Sequence, residues 1–369
     1  MKNNKSIPYN ALNIVGFIAI VFILYVLKPI IMPLLLAMIL AVMVFPIQKF
    51  FEKKLKCSRL FATLSSITIV IVITAFILSI VYFQLNNISN SGEDYTTKIT
   101  ELYYTAIGYL EDTLRVSKRN SITNKDLKIE NIIQGNFDKI GEFITQSGSL
   151  FSNLVLIPIY LFFYLYYRRF LRVFVYKLFK NKQKSFLNYM IKKIYNVQRN
   201  YLLGLLKVIV IVGILNSIGL LILGIENAIF FGFFAALLLL IPYIGIIIGS
   251  LIPAVIALAT KDSVWYAFGV IAIFGFIQFL EGNFITPKIT GSKVNMNAFA
   301  AILSLIIFSM LWGISGMVVA LPIMASLKII FDHPPGFEAY GFIIGEPVDR
   351  HLQSNARTRL KRWEKIRNK

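Results

Sequence analysis

The sequence predicts an all-α fold: a polytopic transmembrane helical protein of about eight membrane segments, some broken or re-entrant, with both termini cytoplasmic. Three observations carry this. The chain is 57% hydrophobic and 15% charged, whereas soluble domains carry about 25% charge. It contains several charge-free runs longer than about 18 residues, enough to span hydrocarbon as a helix, and its mean hydropathy is +0.70. Strict apolar–polar alternation, the mark of a membrane barrel, is absent.

The first span covers residues 7–27 and is read as a retained helix. No small-residue cleavage site precedes Lys28-Pro29. Pro29 and Pro33 then suggest a tight hairpin into a second span at 30–48, which Pro46 bends near its end. The loop after it carries Lys49, Lys53, Lys54, Lys56 and Arg59 against Glu52, so it is expected in the cytoplasm. A third span at 60–84 completes an N-terminal part, 1–84. Residues 85–145 hold nine acids and seven bases and read as an extracytoplasmic polar insert of short amphipathic helices. The fourth span is 146–167.

Residues 168–199 carry ten Lys or Arg and no acid. On a soluble protein such a segment would suggest nucleic acid. Here a cytoplasmic amphipathic helix on anionic lipid is expected, and no nucleic-acid partner. A C-terminal transport core, 200–330, opens with a span at 200–224. In it Gly213, Asn216, Ser217 and Gly219 make a small, weakly polar region. Such residues let helices pack closely, and Asn216 is also a candidate solute contact. The basic tail, 331–369, is expected in the cytoplasm.

Residues 227–260 and 294–327 each run 34 residues without a charge. As helix that is about 50 Å, against a hydrocarbon core of about 30 Å. Each must tilt, project, break or fold back. Candidate break or gating positions are Pro242, Gly245, Gly249 and Pro253 in the first, and Gly313, Gly316 and Pro322 in the second. With both termini inside, eight crossings is the preferred count, and six crossings plus two re-entrant hairpins the other.

Between them lies FIQFLEGNFITPKITGSK, residues 276–293. Gln278 and Glu281, three apart, share a helix face. A carboxylate near hydrocarbon costs about 2.5–3.5 kcal/mol on insertion scales. Residues there are functional more often than ornamental, so Gln278, Glu281 and Asn283 are candidate ion or solute ligands. Gly282, Pro287 and Gly291 are the candidate helix breaks beside them. A Glu281–Lys288 pair is a further option, made doubtful by Pro287 between them.

The stretches LLIPYIGIIIGSLIPAV (239–255), QFLEGNFITPKITGSKV (278–294), LWGISGMVVALPIMASLKIIF (311–331) and PLLLAMILAVMVFPI (33–47) are similar to segments of the autoinducer-2 exporter family. The resemblance covers about residues 7–331 and is most specific around Glu281. It implies a bacterial inner-membrane transporter of small polar solutes or monovalent cations, either an exporter or a cation/proton antiporter. It also implies a homo-oligomer, with a pentamer the expected form. By the same resemblance Pro242, Gly245, Gln278, Glu281, Asn283, Pro287 and Gly291 are site positions. The family commonly has a His-Pro pair where this chain has Asn297-Ala298, so a proton-handling histidine is not carried over.

Cys57 is the single cysteine, and His333 and His351 lie outside the apolar runs. No metal-ligand set, phosphate loop or nucleophile–base pair is visible, so neither an enzyme, a metal site nor a cofactor is expected. A passive oligomeric channel and a non-transporting scaffold are the alternatives to a transporter.

Overall fold

The computed structural model describes residues 9–90, 148–241, 244–290, 296–333 and 337–346. Most of the expected 85–145 insert, the end of the tail, Pro242 and Gly291 therefore lie outside the described residues. The described chain is helical throughout, with one isolated bridge between Met296 and Gly345. It forms two compact units: residues 1–43, 167–203 and 290–369, and residues 44–166 and 204–289. Five of its helices are long and apolar enough to cross a membrane, and shorter apolar helices accompany them. The protein is a polytopic helical membrane protein.

In the first unit, α1 (Tyr9–Val26) meets α2 (Lys28–Lys53) at Leu27. A single residue separates the two helices. Helical bonds flank the joint, from Leu27 N to Ile23 O (2.9 Å) and from Ile31 N to Leu27 O (2.9 Å). Pro29 has no N–H to donate, so the ladder is interrupted only locally. Trp312 Nε1 donates to Leu24 O at 3.0 Å and ties α1 to a C-terminal hairpin.

That hairpin is α11 (Ala298–Trp312) and α12 (Ile314–Phe331), joined by Gly313 alone. Gly313 has φ +69°, which glycine adopts without penalty. A Cβ on Gly316 would lie 2.0 Å from Phe308 O, so the two backbones touch there. Leu305, Phe308, Val319 and Ala320 pack with Met32 and Ile39 of α2 in this unit's core. Pro322 is buried inside α12 without ending it.

In the second unit, the C-terminal part of α2 packs with α3 (Arg59–Asn90) and α4 (Gly148–Tyr166). Buried Gln48 donates to Thr63 Oγ1 at 2.7 Å and to Leu165 O at 3.5 Å. The other charge-free stretch is also a hairpin: α7 (Ala228–Leu238) and α8 (Ile244–Thr260). Gly245 abuts Leu238 and Gly249 abuts Ala235, the pairing of antiparallel helices. Gly249 and Pro253 thus sit inside α8 as contact residues, not breaks. The described residues between α7 and α8, 239–241, are not α-helical. Each of the two charge-free stretches is thus a pair of helices rather than one long helix.

The segment 168–199 is two elements rather than one helix. α5 (Arg168–Leu178) is a short helix of its own, and Lys184 already begins α6 (Lys184–Ile222). At 39 residues α6 is about 58 Å long, nearly twice the hydrocarbon core. Its later half packs on α7 through small residues: a Cβ on Gly232 would meet Ser217 Oγ at 2.2 Å, and one on Gly213 would meet the Phe233 ring at 2.7 Å.

The hairpins make an expected outcome plain. Gly316→Val forces a side chain against a backbone carbonyl and should lower stability in detergent by about 1–3 kcal/mol, the usual cost of overpacking. Gly275→Ala, where nothing lies within 4 Å of the added carbon, should leave thermal unfolding unchanged or slightly raised. Equal melting of the two variants would refute the close approach.

Candidate functional site

The site is built from three elements of the second unit: α6, the α7–α8 hairpin, and α9 (Trp265–Leu280) together with its C-terminal extension. After α9 the backbone widens into one π-helical turn, Glu281–Ile285, and narrows again into α10 (Thr286–Thr290). Gly282 is therefore not an unwound break, and Pro287 does not stop the helix. A proline one residue inside α10 lacks an N–H and crowds the preceding turn. A widened turn accommodates that defect, and π turns recur at functional sites.

The π turn also changes which side chains meet. Five-residue spacing stacks Glu281 over Thr286, whose hydroxyl donates to Glu281 Oε1. The three-residue spacing read from the sequence holds as well: Gln278 Nε2 donates to Glu281 Oε2 at 2.7 Å. The half-buried carboxylate thus accepts from two neighbours. Asn283 does not join them. It is exposed, and its Nδ2 donates to Phe279 O at 2.8 Å, within its own helix. Among the described residues no ion pair links Glu281 to the exposed Lys288.

Gln278 reaches a second neighbourhood. With Asn216 it forms the polar lining of a cavity of about 20 Å³, otherwise lined by apolar residues such as Ala235, Leu239, Ile246 and Phe274. That volume holds a single water-sized particle. Leu239 and Ile246 flank the hairpin tip, so the cavity lies against the place where helical bonding lapses. There α7 ends in short bonds, Leu239 N to Ala236 O (3.2 Å) and Ile241 N to Leu238 O (2.9 Å). Asn216 is 4% exposed, and its Oδ1 has no hydrogen-bond partner among the described residues. An unmet buried acceptor costs about 1–3 kcal/mol. Ser217 beside it is satisfied by Gly213 O at 2.7 Å.

Thus Asn216, Gln278 and Glu281 come together, the last one hydrogen bond back from the cavity. Gly245 belongs to the hairpin contact, while Gly313 and Gly316 belong to the other unit. Thr286 was missed by the sequence reading. Its only signal was a spacing of five from Glu281 inside a Gly-Asn-rich, proline-ended turn. Asn297, standing where the family's histidine is expected, has a structural task. Its Oδ1 accepts from Ala300 N at 2.8 Å to cap α11. Its Nδ2 donates to Ile343 O (2.7 Å) and Gly345 O (2.8 Å), at the end of α13 (Glu338–Ile344).

The sequence pattern of a family described as AI-2E family transporter matches residues 14–336. YueF of Bacillus subtilis, whose name places it provisionally among transport proteins, is 28% identical over 86% of this chain and 87% of its own length. YrrI of the same organism is 32% identical over 36% of this chain and 37% of its own. YhhT of Escherichia coli is 28% identical over 36% and 38%. Both carry the same provisional transport naming.

If Asn216 is kept for a ligand, it is kept at a cost to the empty protein. Asn216→Leu, similar in volume and apolar, should raise stability in detergent by about 1–3 kcal/mol. Thermal unfolding measures this, and a loss of stability would mean that the amide has a structural partner.

Proposed function

Because the chain belongs to the AI-2E family of transporters, as a multi-pass membrane transport protein, we propose that it is a secondary transporter working through Asn216, Gln278 and Glu281. The observation that carries this is the buried, unpartnered Asn216 oxygen on the same small cavity as Gln278, which in turn holds Glu281. Intramembrane polar groups of this kind mark ion and solute paths, and hairpin tips beside them are a recurring transporter device.

Gln278 couples the two ends. Glu281 accepts from the Gln278 amide N–H. Once Glu281 takes a proton, its O–H donates instead, to the Gln278 amide oxygen, and the amide turns over. The face that Gln278 offers the cavity then changes from acceptor to donor. An ion held by amide oxygens would be released as the proton binds. The one-particle cavity supports cation/proton antiport over export of an organic solute, which would require the hairpin to move. Bacterial relatives support the inner membrane as its location, and the homo-oligomer implied by the resemblance is part of the same proposal.

In proteoliposomes with an imposed pH gradient, Glu281→Gln should abolish coupled cation flux while folding as the wild type does. Wild-type flux by this variant would remove Glu281 from the mechanism. Large ohmic currents without a gradient would favour a channel instead.

A further inference from the structure

The basic segment after α4 carries a second, unrelated feature. α5 begins one residue after α4 ends, and none of its side chains is buried. At 100° per residue, Phe170, Leu171, Phe174 and Leu178 fall on one side, and Arg168, Arg169 and Arg172 on the other. Phe170, Phe174 and Leu178 are 67%, 54% and 62% exposed. Tyr176, on the side away from the apolar stripe, donates to Asn188 Oδ1 of α6, which turns that stripe outward.

The early half of α6 adds a groove. Tyr189, Lys192, Lys193, Asn196, Val197 and Asn200 recur on one helix face and line an open space of about 380 Å³. Lys193 Nζ sits 5.7 Å from the Tyr189 ring centroid, which holds the ammonium at the groove wall. Two ammonium groups, two amides and a phenol offer donors that a tetrahedral oxyanion accepts. From 168 to 199 there is no acid to neutralise them.

We propose that residues 168–200 are a dock for anionic phospholipid. α5 lies in the headgroup layer with Phe170, Phe174 and Leu178 down and its arginines at phosphate level, and the α6 groove takes one phosphate headgroup on Lys192 and Lys193. Charge complementarity selects an anion, and the adjoining apolar stripe selects a lipid over free phosphate or a nucleic acid.

The test uses the full chain with Cys57→Ser and Phe174→Cys, spin-labelled at the new thiol. It is reconstituted in phosphatidylcholine alone and in phosphatidylcholine with about a quarter phosphatidylglycerol. The label should sit at the headgroup–acyl boundary in the anionic bilayer, and Arg169→Gln with Arg172→Gln should move it toward water. Native mass spectrometry of the detergent-purified protein should show phosphatidylglycerol retained over phosphatidylcholine. That preference should fall about fivefold for each charge removed by Lys192→Gln or Lys193→Gln, and excess inorganic phosphate should not displace the lipid. The proposal is overturned by a water-exposed label in the anionic bilayer. It is equally overturned by protection that appears only at high protein-to-lipid ratio, where a second copy covers the face, or by displacement with phosphate. Binding is read here without transport, so the result stands apart from the fate of Glu281.

Discussion

Inside hydrocarbon a backbone N–H or C=O has no water to turn to, so every departure from α-helix must be enclosed by protein. This constraint organises the molecule. Among the described residues, α geometry lapses at Leu27, at 239–241, in the Glu281–Ile285 turn and at Gly313, among other places. At the tip and at Gly313 a glycine lets helices approach until backbone meets backbone: Gly245 against Leu238, and Gly316 against Phe308. Near Leu27 the indole of Trp312 supplies a donor to Leu24 O. The π turn keeps the helix continuous and shifts its register.

Enclosure of this kind leaves little room, and what room remains becomes selective. Between α6, α9 and the hairpin tip the walls are apolar except for two amides. On the transport reading proposed above, a particle entering it would be small and would satisfy Asn216. The charged residue is held outside this space, where Gln278 and Thr286 attend to its carboxylate. On the same transport reading, this separation would let a polar event at the π turn be felt in the cavity without placing a bare charge among apolar side chains, with charge handling and ligand contact divided between neighbouring residues of one helix face.

Much of this was legible in the sequence, and the parts that were not have physical reasons. Helical class comes from apolar runs and needs no tertiary information. That 227–260 and 294–327 are each a pair of helices was one of several ways open to a run too long for the bilayer, and length alone does not choose among them. Gly249 and Pro253 looked like breaks but are contact residues, since a neighbouring backbone in membrane protein makes a small residue useful inside a helix. The Gln278–Glu281 pair came from α-helical spacing. Asn283 was placed with it and Thr286 was not, because the π turn replaces the expected periodicity after Glu281. The meeting of Asn216 with Gln278 was beyond any local pattern, since it arises from packing between α6 and α9.

The indole of Trp312 has one more consequence. It is 6% exposed, beside the single-residue turn, with its N–H committed to a carbonyl of another helix. Trp265, by contrast, is 79% exposed. With the third indole, Trp363, replaced by phenylalanine, ultraviolet emission from these two differs in colour and in susceptibility to quenchers, so the protein contains an intrinsic optical gauge. Separation of the C-terminal loop from the first helix would register as a red shift of the sheltered fluorophore, with no dye attached.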